Sequence, residues 1–243
     1  MNLTFAKLYH AQHKEYQEDI PFWLALADEA GGPIVELGCG TGRITGPLVE
    51  RGYKVSGVDN DPEMLEFIRA NFGQRKNLKL VNADFIKYSD YQDVGLVILP
   101  CNTYSTFNVE DRFSLLKNIY ENIPVGAVFY TSIINPDLIK DMPDCEEPEL
   151  ETTIEHPETG CPLLISAEWK TEAGKFLLTW HYDHLLPDGQ VQRASRTTEH
   201  FQVLSDVYLQ EFVEAGFDVE LIGDFDGGAF NDESQYLIIK AKK

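Results

Sequence analysis

Ile34 to Arg43 reads Ile-Val-Glu-Leu-Gly-Cys-Gly-Thr-Gly-Arg, and no other stretch limits the possible folds of this chain so strongly. A short apolar, β-branched run bounded by glycines reads as a buried parallel strand. Gly38, Gly40 and Gly42 then mark a turn in which the backbone takes positive φ or approaches something closely. A helix is expected next, with Leu48 and Val49 on its inner side and Gly52 as its stop. Strand, glycine turn and helix N-terminus together make a nucleotide site, because unpaired backbone N–H groups point outward there.

The spacing selects among nucleotides. A dinucleotide fingerprint is Gly-x-Gly-x-x-Gly, whose third glycine lets helix and strand pack closely. Here Arg43 stands at that position and the glycine falls one residue early, which is a poor match to NAD. An acidic residue followed by x-Gly-x-Gly-x-Gly, met here by Glu36, Gly38, Gly40 and Gly42, resembles the first motif of the Rossmann-like, class I S-adenosylmethionine-dependent methyltransferases. The resemblance is good over residues 34 to 134 and looser elsewhere. It implies S-adenosylmethionine as cofactor and a doubly wound α/β fold. The sheet would have seven mostly parallel strands, the last antiparallel, with the first and fourth side by side in its centre.

Charge narrows the acceptor. With 40 acidic and 20 basic residues the formal net charge is −20, a surface that repels phosphate backbones and anionic membranes. Nucleic acid and membrane are therefore not expected partners; the charge is compatible with a neutral or cationic small molecule, and the resemblance implies a small-molecule methyl acceptor. No run of roughly 18 apolar residues is present to span a bilayer, and the polar N-terminus has no apolar signal region. Four cysteines without Cys-x-x-Cys or zinc spacing read as reduced thiols, so no metal is expected and the expected compartment is the cytoplasm.

Along the chain, residues 7 to 30 read as two helical pieces. The first carries Tyr9, His10, His13 and Tyr16; the second begins at Pro21 and stops at Gly31-Gly32. In the resembled family an N-terminal helix often covers the site, which makes Tyr9 and Tyr16 substrate candidates. Tyr53 to Val58 is the second strand, ending in Asp59. That acid lies near the spacing at which a carboxylate meets ribose hydroxyls. Asp61 and Pro62 supply the N-cap and first turn of the next helix, which leaves Asp59 free for the ribose. Leu78 to Val81 is the third strand. The resemblance makes the following Asp84 the acceptor of the adenine amino group, with Phe85 beside the ring. Cys39, Asn60 and Met64 complete this side of the cofactor set. Val94 to Leu99 is the fourth strand. Ligands of open α/β sheets sit beyond the carboxyl ends of the strands, so Leu99 and Cys101 join the cofactor set and Asn102 and Thr103 the substrate set. A helix over 110–123 should turn Phe113, Leu116, Ile119 and Tyr120 inward, and Gly126 to Ile134 is the fifth strand.

Residues 137 to 160, acidic and proline-rich, read as an exposed loop. Three strand-like runs follow, Leu163–Lys170, Lys175–Leu186 and Val191–Val203, with turns at Glu172-Ala173-Gly174 and Pro187-Asp188-Gly189. Phe176, Leu178, Trp180, Tyr182 and His184 share one face of the middle run, and Lys175, Thr179, His181 and Asp183 the other. Such an inserted antiparallel β meander resembles the methyltransferases of small amines and amino sugars, in which it covers the substrate or forms a dimer contact. That implies Trp180 and Tyr182 as pocket residues, His181 and His184 as candidate bases, and a homodimer. A helix from Ser205 to Ala215 and strands Val219–Ile222 and Tyr236–Lys240 close the chain. The expected division is a Rossmann-like domain, 1–134 with 204–243, and an insertion, 135–203.

Methyl transfer from a sulfonium is a direct displacement that needs an aligned nucleophile; alignment supplies roughly 7–11 kcal/mol. A base is required only for a hydroxyl or a protonated amine. The leading reading is a methyltransferase acting on N or O of a small molecule. Two others stand beside it, a nicotinamide-dependent oxidoreductase and a protein that binds S-adenosylmethionine without catalysis.

Overall fold

The structure, a computed structural model, describes residues 4–243. Two helices, α1 (Phe5–His13) and α2 (Ile20–Ala30), precede β1 (Ile34–Leu37). There follow α3 (Thr45–Glu50), β2 (Val55–Asp59), α4 (Pro62–Phe72), β3 (Leu78–Asn82) and β4 (Leu96–Leu99). A 3₁₀ turn at Thr103–Thr106 leads to α5 (Val109–Asn122), β5 (Val128–Ile134) and a one-turn helix α6 (Pro136–Ile139). The insertion is β6 (Cys145–Glu155), β7 (Pro162–Glu172), β8 (Lys175–Leu185) and β9 (Val191–Phe201). The chain ends with α7 (Ser205–Glu214), β10 (Asp218–Gly223), β11 (Gly228–Ala229) and β12 (Tyr236–Lys242).

The main sheet runs β11-β10-β12-β5-β4-β1-β2-β3. β1 lies parallel between β2 and β4, and β12 is antiparallel to both β5 and β10. β1 and β4 are buried along their whole length, as expected of strands covered by helices on both faces. The seven expected strands are joined by an eighth, the two-residue edge strand β11. Two apolar layers flank the sheet. One packs Leu115, Leu116, Ile119 and Phe212 against Val97, Leu99 and Phe129; the other packs Trp23, Leu48 and Val49 against Ile34 and Ile98. Gly42 lets α3 and α4 close up, because a methyl group there would come within 3.1 Å of Ile68 and 3.2 Å of Phe72.

Two expectations need correction. Residues 137–160 are not one loop: they contain most of α6 and all of β6, so the inserted sheet has four strands in the order β6-β7-β8-β9. β6 is an edge strand with register shifts between Cys145 and Glu149 and between Leu150 and Thr152. An edge tolerates Pro148 and a run of glutamates because one side of its backbone ladder faces water, and that composition hides a strand from pattern reading. On α5, Phe113 is exposed and Arg112 is buried in its place.

Arg112 is buried because Glu211 of α7 is buried opposite it. Its Nη2 and Nε donate to the Glu211 carboxylate at 2.7 and 2.9 Å, and its Nη1 to the Phe107 carbonyl at 2.6 Å. Tyr104 donates to the same carboxylate at 3.1 Å. The pair thus fastens α5, α7 and the turn after β4 to one another. Arg112→Ala leaves Glu211 buried without a counter-charge, and the expected loss is about 3–5 kcal/mol in urea unfolding; Arg112→Met with Glu211→Leu should recover most of it.

Candidate active site

The glycine turn follows β1 with φ of 68°, 51° and 84° at Gly38, Gly40 and Gly42. Positive φ at three alternate positions turns successive backbone groups toward the strand ends and needs residues without Cβ. Asp59, at the end of β2, holds the turn: its Oδ2 accepts from Gly40 N at 2.8 Å and its Oδ1 from Asp61 N at 2.9 Å. Asp59 is therefore not free, as the sequence suggested, but it is not exhausted. Each carboxylate oxygen has a second lone pair. Asp61 caps α4 as expected, its carboxylate accepting from Glu63 N at 2.9 Å.

Glu36, Gly38, Cys39, Gly40, Cys101, Thr103 and Tyr9 border one small cavity of about 50 Å³, room for one or two waters. Tyr9 of α1 roofs it. The helix is held down by Lys7 to Glu158, by Tyr182 to Gln12, and by Leu8 packed on Leu163 and Ile165 of the insertion. His13 stacks on Tyr9 at 4.2 Å and bonds its carbonyl at 2.9 Å; His10 approaches Thr41 Oγ1 at 3.4 Å. Burial holds both imidazoles below the ordinary histidine range.

Glu36 is 2% exposed and accepts from Thr45. Burial pushes its carboxyl up to about 8, against the opposing pull of the Thr45 hydrogen bond and the Arg43 charge. Arg43 itself is a clasp. Its Nη1 donates to Asp19 at 2.5 Å and to the Tyr16 carbonyl at 3.1 Å, and its Nη2 to Asp19 at 2.8 Å and to Cys101 Sγ at 2.9 Å. The residue that breaks the NAD fingerprint thus ties the glycine turn to the segment after α1 and to the loop after β4.

The remaining candidates divide. Phe85 lies beneath the turn, 3.7 Å from the place a Cβ on Gly38 would occupy, and edge-on to Phe107. Asn60 and Asp84 lie exposed on the rim; Asp84 accepts from Ile86 N at 3.0 Å and pairs with Lys87 at 3.2 Å. Met64 and Cys39 are buried, and the Cys39 sulfur packs against Gly57, its thiol pushed well up by burial. Leu99 belongs to the core, not to a cavity wall. Tyr16 sends its hydroxyl to Tyr236 at 3.2 Å and carries the Arg43 guanidinium over its ring, a packing role. Trp180 and Tyr182 pack with Phe5 and Leu8. His181 pairs in register with Ser195 and donates to or accepts from it at 2.7 Å on the sheet face turned away from the main domain. His184 faces inward but is stacked on His156 at 3.8 Å and bonded to Thr159 at 2.8 Å. Neither histidine borders either cavity of the site.

A second cavity, about 340 Å³, lies between the carboxyl ends of β4 and β5 and the inner face of the inserted sheet. Asn102, Ser105, Ile133, Phe176, His200 and Tyr208 are among the residues around it. Cys101 and Asn102 both have φ of 61°, a strained pair of the kind that sites retain. The strain sends neighbouring residues to different cavities, Cys101 to the small one and Asn102 to the large one. His200, Ser105 and Tyr208 were not singled out from the sequence. The period-2 pairing of β9 with β8, which sets His200 opposite Phe176, was the available signal.

Residues 34–124 match the family model described as a methyltransferase domain. A putative methyltransferase, YqeM of Bacillus subtilis (strain 168), is 22% identical over 251 residues, covering 98% of this chain and 96% of that protein. Among solved structures, an S-adenosylmethionine-dependent methyltransferase from Clostridium acetobutylicum ATCC 824 superposes with a TM-score of 0.78 at 14% identity, over 98% of this chain and 97% of that one. The sugar N-methyltransferase KedS8 from Streptoalloteichus sp ATCC 53650 gives 0.75 at 16%, over 100% and 94%.

In the folded chain Glu36 keeps its proton up to about pH 8, whereas its ordinary value is 4.5. The native state then binds the extra proton, so this contribution to stability is full below pH 4.5 and is lost as pH rises toward 8. Glu36→Gln cannot ionise. Its Tm should therefore rise relative to wild type as pH goes from 5 to 8, measured in matched thermal scans.

Proposed function

We propose that this chain, which carries a methyltransferase domain and the fold of the class I S-adenosylmethionine-dependent methyltransferases, transfers the methyl group to nitrogen or oxygen of a small molecule. The observation that carries the reading is the Asp59 staple. One carboxylate orders the glycine turn and stands at the strand end where a ribose diol belongs.

The residues suit such a cofactor. Gly38 and Gly40 leave open backbone beside the turn, since a Cβ on Gly40 would find nothing nearer than Tyr9 at 3.9 Å. Asp59 offers its spare lone pairs to the ribose, Phe85 and Asp84 flank the adenine side, and Glu36 faces the cationic end. When bound, the cofactor supplies a methyl group on positively charged sulfur. That charge beside Glu36 and Asp59 would offset the burial that raises their carboxyls. Tyr9 and the helix that carries it exclude water from the reacting end and make α1 a lid. Cys101 to Thr103, at the end of β4, stand between the cofactor side and the larger cavity, where the acceptor is held.

A negative surface and an acceptor space of only about 340 Å³ support a small molecule over nucleic acid. No helix among the described residues is long and apolar enough to cross a membrane. The likeness to KedS8, a sugar N-methyltransferase, supports a small-molecule acceptor.

Calorimetric titration with S-adenosylmethionine and S-adenosylhomocysteine tests the assignment. Wild type should bind both with micromolar Kd, and Asp59→Ala should weaken binding at least tenfold, about 1.4 kcal/mol. Binding of NADH in place of either would overturn the reading. Turnover of methyl-labelled cofactor on a panel of phenols and amines separates an enzyme from a protein that only holds the cofactor.

A further inference from the structure

Resting on that reading, we infer that the 340 Å³ cavity receives an uncharged, largely apolar acceptor through its hydroxyl group, with Tyr208 and Asn102 holding the hydroxyl oxygen and His200 taking its proton.

The cavity has an apolar wall with few polar functions. Ile133, Ile139, Met142, Trp169, Phe176 and Leu178 form much of it. No aspartate, glutamate, lysine or arginine lines it among the described residues. An ionised group entering it would lose its hydration with no counter-charge in return. Glu211, on the same helix as Tyr208, is committed to Arg112.

Three polar functions remain open. Tyr208 is 1% exposed, and its buried hydroxyl has no partner among the described residues. A buried hydroxyl without a partner is costly; Tyr208 lines the cavity, and a small turn of its ring would bring the hydroxyl to a ligand oxygen. The Asn102 side-chain oxygen accepts from Ile134 N, which fixes the amide orientation and leaves its NH₂ as the free end.

His200 has a defined tautomer. Ser105 has one hydroxyl proton, given to the Asn102 carbonyl at 2.7 Å. The 2.8 Å contact between Ser105 Oγ and His200 Nδ1 is then donated by the ring. Nδ1 carries the proton and Nε2 keeps its lone pair. Burial holds the imidazole near 4, so the ring is neutral at pH 7 and its Nε2 lone pair is free to accept a hydrogen bond.

A hydroxyl satisfies all three functions, accepting from Tyr208 and Asn102 and donating to His200. In the reaction the acceptor oxygen forms the new bond to the methyl carbon as the sulfur–methyl bond breaks. The hydroxyl proton passes to Nε2, and the products are a neutral ether, S-adenosylhomocysteine and an imidazolium that returns its proton to water. An amine acceptor would leave an ammonium ion in a space with no carboxylate to pair it. A sugar would bring more hydroxyl groups than the wall can bond.

The test uses the full chain saturated with S-adenosylhomocysteine and three probes: 1-naphthol, 1-naphthoate and glucosamine. 1-Naphthol should bind at least tenfold tighter than either of the others. Tyr208→Phe should weaken 1-naphthol about fivefold, the worth of one net hydrogen bond, and Leu178→Trp, which fills the cavity, should abolish it. Both variants should keep wild-type affinity for S-adenosylhomocysteine. His200→Gln should keep the 1-naphthol Kd within about twofold while lowering kcat for its methylation roughly 100-fold. Equal binding of glucosamine or naphthoate, or 1-naphthol binding indifferent to both cavity variants, overturns the inference. Failure to bind S-adenosylhomocysteine at all strikes instead at the methyltransferase reading.

Discussion

A single guanidinium joins the segments that enclose the cofactor side of this protein. Arg43 sits one residue beyond the glycine turn, and Asp19, 1% exposed, meets it with both carboxylate oxygens. Its other contacts reach the Tyr16 carbonyl and Cys101. A buried ion pair repays its desolvation only when its remaining hydrogen-bonding positions are filled, and here they are filled from three parts of the chain. The turn, the segment between α1 and α2, and the loop after β4 therefore hold one arrangement together.

The acid chemistry of the site follows from that closure. Glu36 lies on a strand buried along its length, with Thr45 as its hydrogen-bond donor. Burial raises the carboxyl, and the Arg43 charge only partly reverses it. Asp59 is also raised by burial, while backbone N–H groups of Asp61 and Gly40 pull it down. A cation brought beside these two acids would draw both back toward the ionised form, and the proposed sulfonium would be such a cation.

On the other side of the loop the polarity reverses. The Arg112–Glu211 pair lies behind Tyr104 and Tyr208 and spends its charge there. What reaches the larger cavity is an apolar wall with hydroxyl, amide and imidazole functions. Strain at Cys101 and Asn102 lets two adjacent residues serve these two unlike spaces.

The sequence by itself determined the βαβ core. Alternating apolar runs and glycine stops identified β1 to β5 and the helices between them, because burial on both faces leaves continuous apolar strands. It also marked the glycine turn and the acid that staples it, because positive φ at Gly38, Gly40 and Gly42 and a carboxylate at the end of β2 are local requirements. β6 escaped notice because an exposed edge strand imposes no apolar alternation. Burial of Arg112 in place of Phe113 was not legible, because its partner Glu211 is 99 positions away. Only the tertiary structure decided that Arg43 is a clasp, that Leu99 and Tyr16 pack within the fold, and that His181 and His184 stand away from the site. It alone brought His200, Ser105, Asn102 and Tyr208 around one cavity. Those residues come from three separate segments of the chain, and no local pattern encodes which side chains meet when the inserted sheet folds back over the strand ends.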